Sequence, residues 1–376
     1  MNEILIVHPD LNRRGGAESV CAHTIDALSD LYDLTLLTMN DLDISEIGEF
    51  YDINLDSDDI SIIRPDLYSS FNKIAETRAG LLRNSLLNRY ASKVSDEYDF
   101  LISTSNELGL DSDSVDYIHY PMFSRGAIPD APGKGTYIYS LYDWICKNIS
   151  GFKEKNLSNS LLLTNSEWTA SLIRSAYGIR PSVVYPPVDT EFASSGDWSE
   201  RENGFVSIGR VEKSKRIIPL IDFIKELRNR GVPIHYHIVG PIDNYKYYNE
   251  VKNEISGVKY ISYEGELSRE DLRELLTSHK YGLHGKKHEH FGIVVAEMVE
   301  AGMIPFVPST GGQTEIVQNI SLLTFDTISD LVAQSETVLQ STETQNRIKT
   351  RLSSQSEYSV ERFQKSMVQI VGEYIK

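Results

Sequence analysis

The most constraining feature of this sequence is an alternation of short apolar runs with helical periodicity, interrupted once near residue 190. The first run, ILIVHP at 4–9, is followed by the polar loop DLNRRGG, by apolar residues at helical spacing between Val20 and Leu31, and by DLTLLT from Asp33. A strand, glycine loop, helix and second strand form a βαβ unit. Such units build parallel sheets, so we predict an α/β fold.

The alternation continues, stops and restarts, which predicts two domains. After the run SVVYP near 182, the segment PPVDTEFASSGDWSEREN lacks apolar periodicity and is typical of a linker. We predict an N-terminal domain at 1–188, a linker at 189–204, a second parallel-sheet domain at 205–355 and an amphipathic helix at 356–376 that crosses back to the N-terminal domain. Ligands of open α/β sheets bind beyond the carboxyl ends of the strands, which predicts a site in a cleft between the domains.

Composition excludes several classes of protein. The 54 acidic and 37 basic residues give a net charge of −17, which argues against a nucleic-acid partner because phosphate contacts require positive surface. The two cysteines, Cys21 and Cys146, form no disulfide framework and indicate a reducing compartment. No signal peptide or apolar run of about 18 residues is evident, so we expect a cytoplasmic location.

Two candidate sites lie in the N-terminal domain. Gly15 and Gly16 stand before a predicted helix, whose N-terminal N–H groups could bind a phosphate, although the glycines could equally serve only a tight turn. The spacing is not G-x-G-x-x-G, so a nicotinamide dinucleotide fits poorly. His119, in YIHYP, stands at the end of a predicted strand, where a lone histidine is more often structural.

Two further candidates lie in the second domain. Arg210 and Lys215, in GRVEKSKR, follow its first strand and could converge on a diphosphate, or could form a solvated basic face. In GLHGKKHEHFGIVVAE at 282–297, Glu289 precedes a helix that Phe291 and Gly292 open, and Glu297 lies inside that helix. Carboxylates suit sugars because each oxygen can accept hydrogen bonds from hydroxyl groups.

No metal site is predicted. His284, His288 and His290 share one loop without an obvious carboxylate partner, so metal binding is the weaker reading of them. Two acidic triplets at 56–58 and 111–113 mimic a metal-binding D-x-D, but their polar surroundings favour solvated loops.

Together these motifs resemble those of the retaining glycosyltransferases with two Rossmann-like domains (the GT-B type), family 4, along nearly the whole chain. The matching segments are HPDLNRRGGAE, YIHYP, TNSEWTASLI, VVYPPVDTEF, SIGRVEKSKR, HIVGP, EHFGIVVAEMVEAG and PFVPSTGGQTEIV. Within the family, YIHYP, VYPPVD and GLH…EHFGIVVAE are similar to the eukaryotic α-1,2-mannosyltransferases that extend dolichol-linked oligosaccharide, and to archaeal and bacterial relatives that build cell-surface glycans. The resemblance implies two domains facing each other across a cleft.

The resemblance also implies a function for each candidate residue: Gly15 and Gly16 near the donor diphosphate, Arg210 and Lys215 bound to it, Glu289, Phe291 and Gly292 at the donor sugar, Glu297 at the ribose, and His119 beside the reacting sugar, with His119 and Glu289 as the catalytic residues. The implied reaction moves a sugar from a nucleoside diphosphate to a glycan or lipid-linked acceptor. Mannose from GDP-mannose is the first choice of donor and UDP-sugars are the second, since no residue pattern selects guanine over uracil. Retention would use same-face attack with the leaving phosphate as base. Because Arg210 and Lys215 could take the place of a metal ion at the diphosphate, we predict that the reaction is independent of metal and needs no cofactor.

Alternative functions remain open on sequence grounds. A nucleotide-sugar epimerase of the same fold would need no acceptor, and a non-catalytic sugar-nucleotide-binding protein would need only part of the site. A separate hypothesis concerns an anionic membrane surface. Residues 69–93 combine five bases with apolar residues that include Leu81, Leu82 and Leu86. This pattern predicts either a basic amphipathic helix on the cytosolic membrane face or, equally, a domain helix packed on the sheet with a solvated basic edge.

Overall fold

The computed structural model describes residues 2–55, 60–65, 80–127, 129, 137–188, 197–353 and 357–375. The chain divides into two compact units, which are described separately below. Unit 1 comprises Met1–Pro187 with Val360–Lys376, and unit 2 comprises Val188–Ser359. Of the predicted linker, residues 189–196 lie outside the described part, and a short turn of 3₁₀ helix at Trp198–Glu200 leads into the first strand of unit 2.

Unit 1 contains a parallel sheet of seven strands in the order β3-β2-β1-β4-β5-β6-β7. Its strands are β1 Glu3–Val7, β2 Asp33–Leu37, β3 Ile60–Ile63, β4 Phe100–Ser103, β5 Ser114–Ile118, β6 Leu161–Thr164 and β7 Ser182–Val183. Its helices are α1 Gly16–Leu28, α2 Ile44–Tyr51, α3 Gly80–Val94, α4 Tyr137–Ser150 and α5 Glu167–Tyr177, with α13 Val360–Tyr374 from the end of the chain.

Unit 2 contains a second parallel sheet, of six strands in the order β10-β9-β8-β11-β12-β13. Its strands are β8 Glu202–Ile208, β9 His235–Val239, β10 Ile261–Gly265, β11 His279–Leu283, β12 Ile304–Pro308 and β13 Thr324–Phe325. Its helices are α6 Ile217–Asn229, α7 Tyr245–Ile255, α8 Arg269–Ser278, α9 Ile293–Glu300, α10 Gln313–Ile316, α11 Ile328–Leu339 and α12 Thr342–Leu352. The predicted α/β fold with two parallel sheets is confirmed.

The C-terminal helix α13 belongs to the core of unit 1. Phe363, Met367 and Val371 recur every three or four residues and are buried with Ile4, Ile25 and other residues of β1 and α1. The predicted return of this helix to the N-terminal domain is therefore confirmed. Its apolar stripe requires a partner, because an amphipathic helix gains most of its stability from burying one face.

The predicted basic amphipathic helix at 69–93 is described only in part, since residues 66–79 lie outside the described ranges. In the described part, Leu81 is buried, and the side chain of Arg83 is only 6% exposed and donates to Asp10 Oδ2 at 3.2 Å. These two side chains therefore do not contribute to an exposed basic face, because the sheet and Asp10 already engage them. None of the described helices is long and apolar enough to cross a membrane.

Candidate functional site

In unit 2, the loops that follow β8 and β9 approach each other through two glycines. Gly209 and Gly240 have φ values of +145° and +135°, which L side chains rarely adopt. A Cβ atom on Gly240 would lie 2.3 Å from the carbonyl oxygen of Gly209, so only glycine permits this backbone contact. The contact positions the segment that carries Arg210 and Lys215 at the carboxyl ends of the strands, where α/β proteins bind ligands.

Glu289 is the centre of a charged cluster at the same ends of the strands. Its carboxylate accepts from Lys286 Nζ at 2.7 Å and from Lys215 Nζ at 3.2 Å, and His284 Nε2 lies 3.6 Å from its Oε2. The side chains of Glu289 and Lys215 are only 15% and 18% exposed. Two ammonium groups therefore converge on one largely buried carboxylate.

The environment of the cluster lowers the pKa values of Glu289 and His284. Burial by itself raises the pKa of Glu289, but the ammonium of Lys215, the neighbouring His284 and the ammonium of Lys286 hold that pKa well below its usual range. Burial is the main cause that lowers the pKa of His284. Glu289 is thus ionised at neutral pH, and the two lysines exceed it in charge by one.

The loop that carries Glu289 is fixed by backbone contacts to the turn after β12. Gly312 N donates to Glu289 O at 2.7 Å, and a Cβ atom on Gly311 would lie 2.6 Å from that same oxygen. Gly292, with φ +102°, is the N-cap of α9, and its missing side chain allows Gln313 Cβ to approach. These glycines place Glu289 immediately before the N-terminus of α9, where N–H groups could bind an anion.

Other predicted residues of unit 2 have different partners. Arg210 is exposed and donates to Asp243 at 3.3 Å. Glu297 lies inside α9 and accepts from Arg269 Nη1 at 3.2 Å. Phe291 is buried, and its ring packs edge-on against Tyr358 at 5.5 Å between centroids. Arg210 and Glu297 thus each have an acidic or basic partner outside the Glu289 cluster.

In unit 1, Gly15 is the N-cap of α1 and Gly16 is its first residue. Glu18 folds back so that its Oε2 accepts from Gly15 N at 3.1 Å, and a Cβ atom on Gly15 would lie 2.8 Å from that oxygen. The preceding loop is anchored by Asp10, which is buried and accepts from Arg83. The glycines therefore serve the turn and also leave the N-terminus of α1 without bulky side chains.

His119 follows β5 and is oriented through both ring nitrogens. Its Nε2 lies 3.2 Å from Thr104 O, and its Nδ1 lies 3.4 Å from the amide nitrogen of Asn165. A carbonyl can only accept, so Nε2 carries the proton and Nδ1 accepts from Asn165. Nearby, His8 Nδ1 lies 2.9 Å from Thr104 Oγ1, and burial lowers the pKa of His8 to about 3.

The structure therefore brings Lys215 and Glu289 together in unit 2, while Gly15, Gly16 and His119 belong to unit 1. Sequence reasoning missed Lys286, whose spacing of three residues from Glu289 was a usable signal. It also missed His8, Thr104 and Asn165 around His119, since residues that meet at neighbouring strand ends leave no local pattern. Of the two acidic triplets, 56–58 lies outside the described residues and 111–113 is a largely exposed turn.

Comparison with known proteins adds a family match for unit 2. Residues 188–353 match the family model of glycosyl transferases group 1. A relative in Dictyostelium discoideum, named GDP-Man:Man(3)GlcNAc(2)-PP-Dol alpha-1,2-mannosyltransferase, is 22% identical over 82% of this chain and 71% of its own length. A protein of the same name in Kluyveromyces lactis is 23% identical over 81% of this chain and 61% of its own length.

Solved structures resemble the chain over almost its whole length. Anabaena HepE, solved with UDP and glucose, matches with a TM-score of 0.71 at 15% identity, over 99% of this chain and 100% of its own. WaaG, a glycosyltransferase involved in lipopolysaccharide biosynthesis, matches with a TM-score of 0.70 at 13% identity, over 98% of this chain and 100% of its own. The structural likeness shows the fold, and the matches together confirm the resemblance predicted from the sequence.

Proposed function

We propose that this glycosyltransferase, whose residues 188–353 match the family model of glycosyl transferases group 1, transfers mannose from GDP-mannose to a lipid-linked glycan. The donor and acceptor follow the names of the relatives in Dictyostelium and Kluyveromyces. Retention at the anomeric carbon follows from the motif resemblance. An epimerase or a non-catalytic protein is not favoured, because the family model and the curated relatives are glycosyltransferases.

The observation that carries this proposal is the Glu289 cluster at the carboxyl ends of the strands. When the donor bond breaks, negative charge grows on the leaving diphosphate. Lys215 and Lys286 are already positioned by Glu289, so they need little reorganisation to stabilise that charge. Removal of one positioned donor of this kind typically raises a barrier by about 3–4 kcal/mol. The transfer would then proceed without a metal, as we predict from the sequence.

Glu289 would also contact the transferred sugar. Its carboxylate precedes the N-terminus of α9, and it can exchange a lysine contact for a sugar hydroxyl once the diphosphate engages the lysines. Arg210, which is exposed on the segment after β8 that also carries Lys215, would close on the diphosphate from the solvent side. Glu297 would hold the ribose. His119 and the N-terminus of α1, described in unit 1, stay predictions from the motif resemblance.

The first test measures donor choice and turnover. Calorimetric titration with GDP and UDP should give tighter binding of GDP, and tighter binding of UDP would overturn the choice of donor. Transfer should then be assayed with GDP-mannose and a mannosylated lipid-linked acceptor in detergent, with and without a chelator. Product with an α linkage in both samples is expected, whereas loss of transfer in the chelator would exclude metal independence.

We also propose that the enzyme attaches to an anionic membrane surface on its cytosolic side, where a lipid-linked acceptor is reached. Among the described residues, the supporting surface is α4. Five of the seven exposed large apolar side chains among the described residues lie on this helix: Tyr137, Ile138, Leu141, Trp144 and Ile145. The exposed fraction is 77% for Ile138 and 62% for Trp144. Their spacing forms one stripe, which suits a helix that lies in a membrane interface.

A further inference from the structure

Three histidines meet at the amino-terminal edge of the sheet in unit 2, opposite the edge that carries Lys215 and Glu289. His235 and His237 lie on β9 and point to the same face because they are two residues apart. His279 is the first residue of β11. Strand β8 lies between these strands, and its Gly204 is paired with His235. The parallel register therefore brings together residues that are 44 positions apart in the chain.

The three rings are close enough to bind one metal ion together. Their candidate ligand nitrogens all lie within 4.8 Å of one another, and the Nε2 atoms of His235 and His279 are 2.9 Å apart. In a tetrahedral zinc site with Zn–N bonds of about 2.0–2.1 Å, ligand nitrogens are separated by roughly 3.3 Å. The two rings would need to move apart by only a few tenths of an ångström to admit an ion.

The outer nitrogens of two rings are already held by acceptors. Nδ1 of His279 donates to the carbonyl oxygen of Leu275 at 2.8 Å, which turns its Nε2 lone pair towards His235. Nδ1 of His237 lies 2.7 Å from Glu264 Oε1, so Nε2 is the ring nitrogen that this contact leaves for an ion. Histidine ligands of metals characteristically donate their other N–H to a carboxylate or a backbone carbonyl. This cluster has both kinds of support.

The surroundings provide space and a fourth ligand. A Cβ atom on Gly204 would lie 2.2 Å from His235 Nε2 and 2.6 Å from His279 Cδ2, so glycine at this position makes room for the rings. Glu202, on the same face of β8, has its Oε2 3.4 Å from His235 Nε2. The cluster opens into a groove of about 610 Å³ that gives an ion access from solvent.

We propose that His235, His237 and His279 bind a divalent transition metal, with zinc the best fit, and that Glu202 or a water completes the coordination. Imidazole nitrogens with one carboxylate favour zinc over magnesium or calcium, which prefer oxygen ligands. The ion would link β9 to β11 across β8. It would lie at the edge of the sheet opposite the one that carries Lys215 and Glu289. It is therefore a structural site, and glycosyl transfer is not expected to require it.

The test uses the full chain without a histidine tag. After treatment with a chelator and dialysis, the protein is given zinc, desalted and analysed by mass spectrometry for bound metal. We expect one zinc per chain, a higher thermal midpoint with zinc than without it, and visible absorption bands of tetrahedral cobalt when cobalt replaces zinc. His235→Gln and His237→Gln should each lose the bound metal and the cobalt bands.

Two further variants make the outcome decisive. Glu264→Gln keeps every ligand but replaces the carboxylate that accepts from His237 Nδ1 with a neutral amide. It should therefore reduce zinc affinity about 10- to 100-fold. His288→Asn alters a histidine outside the cluster and should keep one zinc per chain. Circular dichroism in the chelator checks that each variant folds without metal. Substoichiometric zinc in the wild type, retention of zinc in either His235→Gln or His237→Gln, or loss of zinc only in His288→Asn would overturn the proposal, whatever the transferase assays show.

Discussion

At the scale of single residues, the two glutamates of the EHFGIVVAE motif occupy different environments. Glu289 lies between Lys215 and Lys286, whereas Glu297 accepts from Arg269 on a neighbouring helix. The sequence predicted both as ligands of one donor because they flank the start of a helix. It could not show their separate partners, since Arg269 precedes Glu297 by 28 positions. Their substitutions should therefore have different consequences.

We expect Glu297→Gln to weaken binding of the free nucleoside diphosphate about 10- to 100-fold, because charge-assisted hydrogen bonds to the ribose contribute about 1.5–3 kcal/mol each. Glu289→Gln should leave nucleotide affinity unchanged or higher, since it releases Lys215 and Lys286 towards the diphosphate. It should still reduce transfer strongly, because its sugar contacts tighten in the transition state. Calorimetry and turnover for both variants check this. Equal losses of affinity, or full turnover in Glu289→Gln, would show that the roles are wrong.

A second residue-scale prediction concerns Glu107, a fully buried carboxyl in unit 1. Burial raises its pKa from 4.5 to about 7, although the hydroxyl of Tyr177 and the N–H of Phe123 donate to it. The folded state thus binds the proton more tightly than the unfolded state. The resulting stability is complete below pH 4.5 and is lost as the pH rises to about 7, a change of about 3 kcal/mol.

Glu107→Gln retains an oxygen for both donors but cannot ionise. The thermal midpoint of this variant relative to the wild type should therefore increase from pH 5 to pH 8. The exposed Glu97→Gln provides the matched control and should follow the wild type across the same range. A constant difference between Glu107→Gln and the wild type would contradict a buried carboxyl that ionises near neutrality.

At the scale of elements, strands could be predicted from the sequence because each strand has a local pattern of apolar residues. Buried parallel strands are short apolar runs, and the runs ILIVHP, DLTLLT and SVVYP correspond to β1, β2 and β7. Contacts between strand ends were not predictable, because they depend on which strands become neighbours. The cluster of His235, His237 and His279 and the contact between Gly209 and Gly240 are both of this kind.

The contact between Gly209 and Gly240 gives an element-scale prediction. Gly240→Ala would place a methyl group 2.3 Å from a carbonyl oxygen at a φ of +135°, so the loops after β8 and β9 must separate. We expect a loss of about 3 kcal/mol or more in unfolding free energy, and a weaker affinity for the nucleotide. Gly231→Ala is the control, because its φ is +84° and no atom lies within 4 Å of the added methyl.

Gly231→Ala should cost only about 1–2 kcal/mol, the usual penalty for an alanine in left-handed backbone, and should retain nucleotide affinity. Urea unfolding and calorimetry of the two variants measure both effects. Equal losses in the two variants would mean that backbone strain alone, and not the contact between the loops, requires glycine at 240.

At the scale of the whole molecule, net charge restricts how the enzyme can meet a membrane. A chain with a net charge of −17 is repelled by an anionic surface as a whole. The described part of the segment at 69–93 offers less basic surface than the sequence predicted, because Arg83 is buried against Asp10. Attachment would then depend mainly on burial of apolar side chains of α4. Membrane binding by this mechanism should respond to salt differently from binding through a basic helix.

We expect the protein to co-sediment with vesicles that contain anionic lipids, and binding should stay constant or increase as salt screens the repulsion. Attraction through a basic helix would instead decrease with salt. Trp144→Ala should weaken binding about tenfold or more, because burial of one large apolar side chain contributes about 1.5–3 kcal/mol. Tyr245→Ala removes an aromatic side chain of similar exposure (71%) from unit 2 and should bind like the wild type. Binding that salt abolishes, or equal binding by the two variants, would exclude α4 as the membrane contact.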